Sequence, residues 1–586
     1  MTILRQMVAQ ASQRTLNRVW FSLLAVLIGV VAGFGAVAFR LLIALFHNLF
    51  FLGRLSLTYD ANVHTPASPW GPLVILVPVV GALGVVFLVR NFAPEAKGHG
   101  VPEVMDAIYY RKGIIRPVVG FVKSIASALS IGSGGSVGRE GPIIQIGSSF
   151  GSAVAQWINV PAWQRITMIA CGAGGGIAAT FNTPVGGVLF AVDILMHEVS
   201  SRTLVPVAIS TATAAYITRW IYGDHPSFVI PAFETPYFHF TKPYLLLAYV
   251  VLGLLIGLVS TVYIRSIYAF EDLFEKRIKG HDYLRHALGM LLVGILFYLV
   301  MLGTGHYHIQ GVGYATIQDV LGDKQRAIGL LLLLFVLKLL ATSLTLGSGA
   351  SGGVFSPALF FGATLGGAFG LLLELIMPGT RISVPGFAVA GMAGVVGSTT
   401  GAAMAAIVMI FEMTRDYDVI IPMTITVAVS YGVRRSLSRR GIYSLKMARR
   451  GHYMPEALQA NFLFMRRARD VMSEQFTLLS QADSAMTPAP SASEPATSPT
   501  IVVTEGEQVV RVCPRQPFAG ECTWFAVSVN DSLFDVVAGM RAANAHYALV
   551  FHAGPVEDRR TTNLAGVIGK EQLADALVDT ADLFGD

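Results

Sequence analysis

KSIASALSIGSGGSVGREGP, residues 123–142, and KLLATSLTLGSGASGGVFSP, residues 338–357, are two copies of one pattern. At a constant offset of 215 they share Lys123/Lys338, Ala126/Ala341, Leu129/Leu344, Gly132/Gly347, Ser133/Ser348, Gly134/Gly349, Ser136/Ser351, Gly138/Gly353 and Pro142/Pro357. Gly147/Gly362 and Gly151/Gly366 extend the register. A weaker echo pairs AGGGIAATFNTPVGGVLFAVD (173–193) with AGVVGSTTGAAMAAIVMIFEM (393–413). A bias toward glycine does not repeat a lysine and a proline in step, so the chain holds two related halves, about 19–222 and 243–433. Glycine and proline break these apolar stretches at matching places. Broken helices at corresponding points of two halves point to a binding site near the middle of a bilayer.

The rest of the composition puts the repeat in a membrane. Of the 586 residues, 53% are hydrophobic and only 13% charged, with a mean hydropathy of +0.60. Soluble proteins carry roughly 25% charged residues, so a soluble enzyme is excluded for most of the chain, and so is disorder. Sixty glycines suit close helix packing in lipid. Apolar segments recur near 19–45, 71–92, 115–132, 143–158, 165–195, 203–222, 243–270, 285–303, 328–346, 353–376, 385–412 and 418–433. Several are too short for a full span of ~20 residues; tilted, broken or re-entrant helices lining a cavity fit better than a simple anchor. The first stretch is too long for a signal-peptide core and reads as a retained spanning helix.

The net charge is +6, and its basic residues cluster. Arg434, Arg435, Arg439, Arg440, Lys446, Arg449, Arg450, Arg466, Arg467 and Arg469 follow the last apolar stretch, and Arg5, Arg14 and Arg18 precede the first. Both groups read as cytoplasmic flanks of a multi-pass protein in the plasma or inner membrane, not as a nucleic-acid surface. Cys171, Cys513 and Cys522 make an odd count that argues against a disulfide framework. QADSAMTPAPSASEPATSPT (481–500) reads as a linker. Beyond it, a strand, helix, strand, strand, helix order over 526–579 predicts a small α/β domain. The expected organisation is a transmembrane domain over 1–455, a linker holding a partial segment of the C-terminal type over 456–500 and a cytoplasmic domain over 501–586. There is no Walker A loop, CxxC pair or HExxH, and His306 and His308 read as surface histidines, so neither an enzyme nor a metal site is expected.

Chemistry enters at GREGP (138–142), where Arg139 and Glu140 stand in an apolar setting. Charges there are costly unless they face water, a partner or a ligand. One reading is an Arg139–Glu140 ion pair. The other uses the flanking glycines and the helix start at Pro142, which together suit a small anion; Glu140 would occupy the anion's own place and leave it when protonated. The second half reads GVFSP (353–357), with Val354 and Phe355 in place of the charges. Its free amides and Ser356 suit an anion without a gate.

GHGVP (98–102), GREGP (138–142), GVFSP (353–357) and Tyr443 in GIYSLKMAR, in that order, resemble the CLC family of chloride channels and chloride/proton exchangers. The likeness runs from about residue 20 to 450. It implies an all-α polytopic membrane protein, an inverted repeat of broken and tilted helices, and a homodimer with one anion pathway in each subunit. It implies that Glu140 gates the path and that His99, Gly100, Arg139, Gly141, Val354, Phe355 and Tyr443 bind chloride or a similar small anion, with protons as a second cargo in the exchangers. Glu412 fits a further family pattern and reads as structural. Two positions depart from the family. Its usual serine in the first motif is His99 here, an imidazole that titrates near neutrality when unperturbed. The internal glutamate of proton-exchanging members falls on Ile194, preceded by Asp193, the one candidate relay at that point. ARDVMSEQFTLL (468–479) and 526–579 resemble cystathionine-β-synthase (CBS) domains. There Gly569, Lys570 and Glu571 replace the usual ribose-binding pattern, so nucleotide binding has little support, and a dimer-stabilising role stands beside it. No other cofactor is expected.

Overall fold

The computed structural model describes residues 2–196, 200–230, 244–380, 382–452, 466–480, 500–506, 508–513, 523–552 and 560–583. They fall into two units, Met1–Met454 and Pro455–Asp586.

The first unit is helical. Its first half runs through α1 (Thr2–Leu52), α2 (Val77–Phe92), α3 (Val101–Tyr110), α4 (Pro117–Gly132), α5 (Glu140–Trp157), α6 (Ala162–Phe181), α7 (Pro184–Phe190) and α8 (Ser201–Tyr222). The second half repeats that order in α9 (Tyr244–Arg277), α10 (Asp282–Thr304), α11 (Tyr314–Leu321), α12 (Ile328–Ser348), α13 (Phe355–Ile376), α14 (Val384–Thr400), α15 (Ala403–Thr414) and α16 (Ile420–Leu437), and α17 (Ile442–Arg449) closes the unit. Among the described residues, seven helices are long and apolar enough to cross a membrane. The two longest spans, Val19–Leu52 and Tyr244–Arg277, have 34 residues each. At ~1.5 Å per residue such a helix exceeds the ~30 Å hydrocarbon core and must tilt or protrude.

Equivalent contacts recur across the halves. A Cβ added at Gly132 would lie 2.7 Å from Phe46 Cβ on α1, and one at Gly347 would lie 2.8 Å from Phe270 Cβ on α9. Gly147 and Gly172 bring α5 and α6 into backbone contact, as Gly362 and Gly391 do for α13 and α14. The repeated lysines are buried and do the same work. Lys123 Nζ donates to the Ala96 and Gly98 carbonyls at 3.0 and 2.8 Å, and Lys338 Nζ to those of Ile309 and Gly311 at 2.9 and 2.7 Å. Each ammonium therefore finds carbonyl partners and fixes the loop before a short helix, α3 or α11. Hydroxyl contacts are exchanged as well, Ser127 with Ser351 at 2.9 Å and Ser136 with Thr342 at 3.3 Å. Gly138 and Gly353 bond to each other in both directions, at 2.8 and 2.7 Å. Equivalent residues can pair reciprocally only on a two-fold axis, so the pseudo-axis of the inverted repeat passes between these glycines.

Two of the apolar segments, 165–195 and 385–412, are each broken in two. Asn182, with φ of 60°, ends α6 before Pro184 begins α7, and Gly401, with φ of 90°, separates α14 from α15. His308 is not a surface residue. It is buried, its Nδ1 lies 2.9 Å from Thr316 Oγ1, and its ring meets that of His64. The two-residue spacing showed a loop but not the α11 side chains that cover it.

The second unit contains α18 (Ala468–Val471), β1 (Phe476–Ser480), β2 (Thr500–Glu505), β3 (Gln508–Cys513), β4 (Trp524–Ser528), α19 (Leu533–Ala542), β5 (Tyr547–Phe551), β6 (Leu564–Ile568) and α20 (Lys570–Leu583). Residues 456–500, read as a linker with part of a CBS-like segment at 468–479, supply α18 and β1, while 481–499 lie outside the described residues. In one sheet β1 runs parallel to β2 and β2 antiparallel to β3; in the other β4, β5 and β6 repeat that pattern. Val502 and Val512 of the first sheet pack with Leu549 and Val567 of the second. The small α/β domain is present, and 526–579 follow the expected strand, helix, strand, strand, helix order; β2 and β3 precede it and were not foreseen.

Candidate functional site

Three glycine-bearing loops meet near the pseudo-axis. Gly98 N donates to Ala350 O at 3.0 Å and Gly352 N to Gly98 O at 3.2 Å, which ties GHGVP to the segment before GVFSP. The Gly138–Gly353 pair ties GREGP to GVFSP. Gly141 closes the triangle: a Cβ there would fall 2.1 Å from His99 O and 3.0 Å from Gly353 Cα. Gly100 has φ of 88°, and a side chain on it would meet Gly141 O at 2.7 Å. Glycine at these two positions is a condition of the convergence.

The convergence aims two helix starts at one spot. Arg139 is the N-cap of α5 and Val354 that of α13. Glu140, 1% exposed, reaches across to the first turn of α13. Its Oε2 accepts from Ser356 N at 3.2 Å, and its Oε1 accepts from Ser356 Oγ and Tyr314 Oη, both at 2.5 Å. A carboxylate at a helix N-terminus is favoured by the free amides and by the helix dipole. Three donors satisfy a group that would otherwise be costly to bury.

Arg139 does not pair with Glu140 among the described ion pairs. Its Nη2 lies 3.5 Å from Thr180 O, its guanidinium sits 5.3 Å over the Tyr314 ring, and its buried Nε has no hydrogen-bond partner among the described residues. Val354 and Phe355 are buried at the start of α13; Tyr263 Oη donates to Val354 O at 3.0 Å, and the Phe355 ring lies 5.5 Å from that of Phe181.

Tyr268 lies near both Tyr443 and His99. Tyr268 Oη donates to Ile442 O, next to the buried Tyr443, and its ring centre is 6.3 Å from that of His99. Ion pairs of Lys446 with Glu271, Arg449 with Asp272 and Arg450 with Glu103 fasten the α17 region. The His99 ring is 6% exposed, and its Nδ1 has no hydrogen-bond partner among the described residues.

Asp193 is engaged elsewhere. It lies in a widened helical turn, Ala191–Met196, that continues α7, and its Oδ2 accepts from Ala405 N at 3.1 Å in the first turn of α15. Glu412, near the end of α15, returns the contact to the first turn of α7 by accepting from Val185 N at 3.1 Å and Gly186 N at 2.7 Å. Each short helix carries the acid that caps the other.

Tyr314 escaped the sequence reading. The signal was present: GVGYATIQD (311–319) repeats GHGVPEVMD (98–106) at Gly311/Gly98, Gly313/Gly100 and Asp319/Asp106. That register makes α11 the counterpart of α3 and puts Tyr314 beside the site.

Comparison with known proteins agrees with this geometry. The sequence pattern of a family described as voltage gated chloride channel matches residues 80–435. The H(+)/Cl(-) exchange transporter ClcA of Yersinia pseudotuberculosis is 30% identical over 431 residues, covering 73% of this chain and 87% of the relative. The ClcA of Vibrio parahaemolyticus is 31% identical over 430 residues, covering 72% and 88%. Among solved structures, a slow cyanobacterial Cl-/H+ antiporter superposes with a TM-score of 0.63 at 24% identity, covering 73% of this chain and 97% of that one. A eukaryotic CLC transporter does so with 0.62 at 18% identity, covering 95% and 98%. By its matched residues and by the extent of these similarities, the chain belongs to the voltage-gated chloride channel (CLC) family.

Proposed function

We propose that this protein carries chloride or a similar small anion across the plasma or inner membrane, along a path that Glu140 closes. The observation that carries the reading is the seat of the Glu140 carboxylate. It rests on the amide and hydroxyl of Ser356 at the start of α13, donors that a passing anion would need for itself. Carboxylate and anion compete for one place, and protonation weakens the carboxylate's hold on it. In this reading Gly100, Arg139, Gly141, Val354 and Phe355 line the path, and Tyr443 and His99 continue it toward the cytoplasm. The homodimer and the cytoplasmic termini belong to the same proposal, supported by family membership and by the basic residues that follow α16. In the C-terminal unit a dimer-stabilising role belongs to the same reading, and Gly569, Lys570 and Glu571 give nucleotide binding little support.

The names of the relatives favour a second reading, in which protons move against the anion. Ile194 cannot hold a proton and Asp193 is occupied with Ala405, so a relay at that point lacks a free group. Chloride efflux from liposomes, recorded with proton uptake under a valinomycin–potassium clamp, separates the two. Uphill proton movement at a fixed ratio to chloride establishes exchange; its absence leaves conduction. In the same assay Glu140→Gln, which mimics the protonated gate, should flatten the dependence of chloride efflux on pH between 5 and 8. A Gln variant as pH-sensitive as the parent refutes the gate.

A further inference from the structure

Glu140 is held by more than a helix terminus. Two hydroxyls, Tyr314 Oη and Ser356 Oγ, meet its Oε1 at 2.5 Å each and lie 2.9 Å from one another. Each hydroxyl has one hydrogen. While both hydrogens point at the carboxylate, the contact between the two oxygens has no proton in it. When the carboxylate leaves, one hydroxyl can turn and donate to the other across that 2.9 Å, and only one hydrogen then needs a new acceptor. The pair can hold an acid tightly and still release it.

Tyr314 is built for this role. It is the first residue of α11, it is buried, and its ring is fixed edge-on to Phe228 at 5.3 Å and beneath the Arg139 guanidinium. α11 is anchored at two more places, through Thr316 to His308 and through Asp319 to His64 at 2.6 Å. The hydroxyl is therefore presented from a fixed helix and not from a free loop. Among the described residues, Tyr263 on α9, Tyr443 on α17 and the adjacent Arg139 also lie in electrostatic reach of the gate. Among the described residues, none of the three hydrogen-bonds to the carboxylate.

We propose that Tyr314, together with Ser356, is a hydroxyl latch that keeps the ionised Glu140 in the anion site and so sets the proton concentration at which the path opens. The proposal rests on the reading of Glu140 as the gate. Tyr314 is a positioning residue in this account. Hydrogen bonds donated to a carboxylate favour its charged form, so losing one makes the seated acid easier to protonate and displace.

The test is the pH profile of chloride efflux from liposomes for the parent, Tyr314→Phe, Ser356→Ala and Glu140→Gln, and for Tyr314→Phe combined with Glu140→Gln. Tyr314→Phe removes one oxygen and keeps the ring. It should move the pH of half-maximal efflux upward by about one unit, a tenfold change in proton activity. Ser356→Ala, which keeps the backbone N–H, should move it in the same direction by less, and it serves as the reporter if the tyrosine variant does not fold. In the Glu140→Gln background Tyr314→Phe should shift nothing. An unshifted midpoint in both single variants overturns the latch, and so does a shift that persists without the carboxylate. A change in maximal rate with the midpoint fixed also overturns it, because that is the mark of a purely structural role. A Glu140→Gln protein that keeps the parental profile overturns the gate itself, a different result from a gate that works without its latch.

Discussion

A buried imidazole with a bare nitrogen invites the idea that it charges and draws in an anion. The surroundings of His99 argue otherwise. The ring is buried and its Nδ1 has no hydrogen-bond partner among the described residues; Lys446, Lys123 and Arg450 lie within electrostatic reach, and two of these are already paired, with Glu271 and Glu103. On this reading His99 serves the anion path as a bulky ring with one donor nitrogen. His99→Ser should change anion affinity by the same factor at pH 5.5 and pH 8, measured by isothermal titration in detergent. An effect several-fold larger at pH 5.5 would restore a charged histidine. At this scale the sequence was legible where backbone geometry demands a residue type: Gly138, Gly141 and Gly353 could be picked out because no side chain fits where they sit. The position of Tyr314 was legible through its repeat of GHGVPEVMD, but not its role, because its hydroxyl acts through a carboxylate 174 positions away.

Among elements, α7 and α15 depend on one another. The first-turn amides of each would be unsatisfied without the other's acid, and losing such a cap costs about 0.5–2 kcal/mol. Glu412→Ala, which frees two amides, should lower the thermal unfolding midpoint in detergent more than Asp193→Ala, which frees one. Asp193→Asn keeps an acceptor and should preserve both stability and chloride flux. If it instead abolished proton uptake while sparing chloride, Asp193 would be a relay as well as a cap. The long apolar helices could be read from their composition, and the repeat from its lysines and prolines. The breaks at Asn182 and Gly401 were legible as short polar turns, TFNTP (180–184) and GSTTG (397–401), at matching places of the two halves. α3 and α11, of ten and eight residues, are too short to show a span.

In the molecule as a whole, the last elements of the helical unit fold back onto it. Arg450 pairs with Glu103, and His452 pairs with Asp106 at 2.6 Å, on α3. These contacts fasten α17, and with it Tyr443, to the helical unit. A chain ending after Met454 should keep chloride flux sensitive to Glu140→Gln in liposomes. Loss of that flux, in a protein that still runs as a single species, would show that the C-terminal unit takes part in transport.

The frame is symmetric about its mid-depth axis, but its acid is not: Glu140 has Phe355 as its counterpart. A scaffold that would look much alike inserted either way up therefore carries an arrow. Vesicles that take up molecules in both orientations contain two populations, and an acid jump applied outside reaches opposite mouths of the two. A bulk trace from such a preparation blends a prompt response with a silent one. Fixing the orientation, by inactivating the molecules that face one way, turns a blurred titration into two distinct ones.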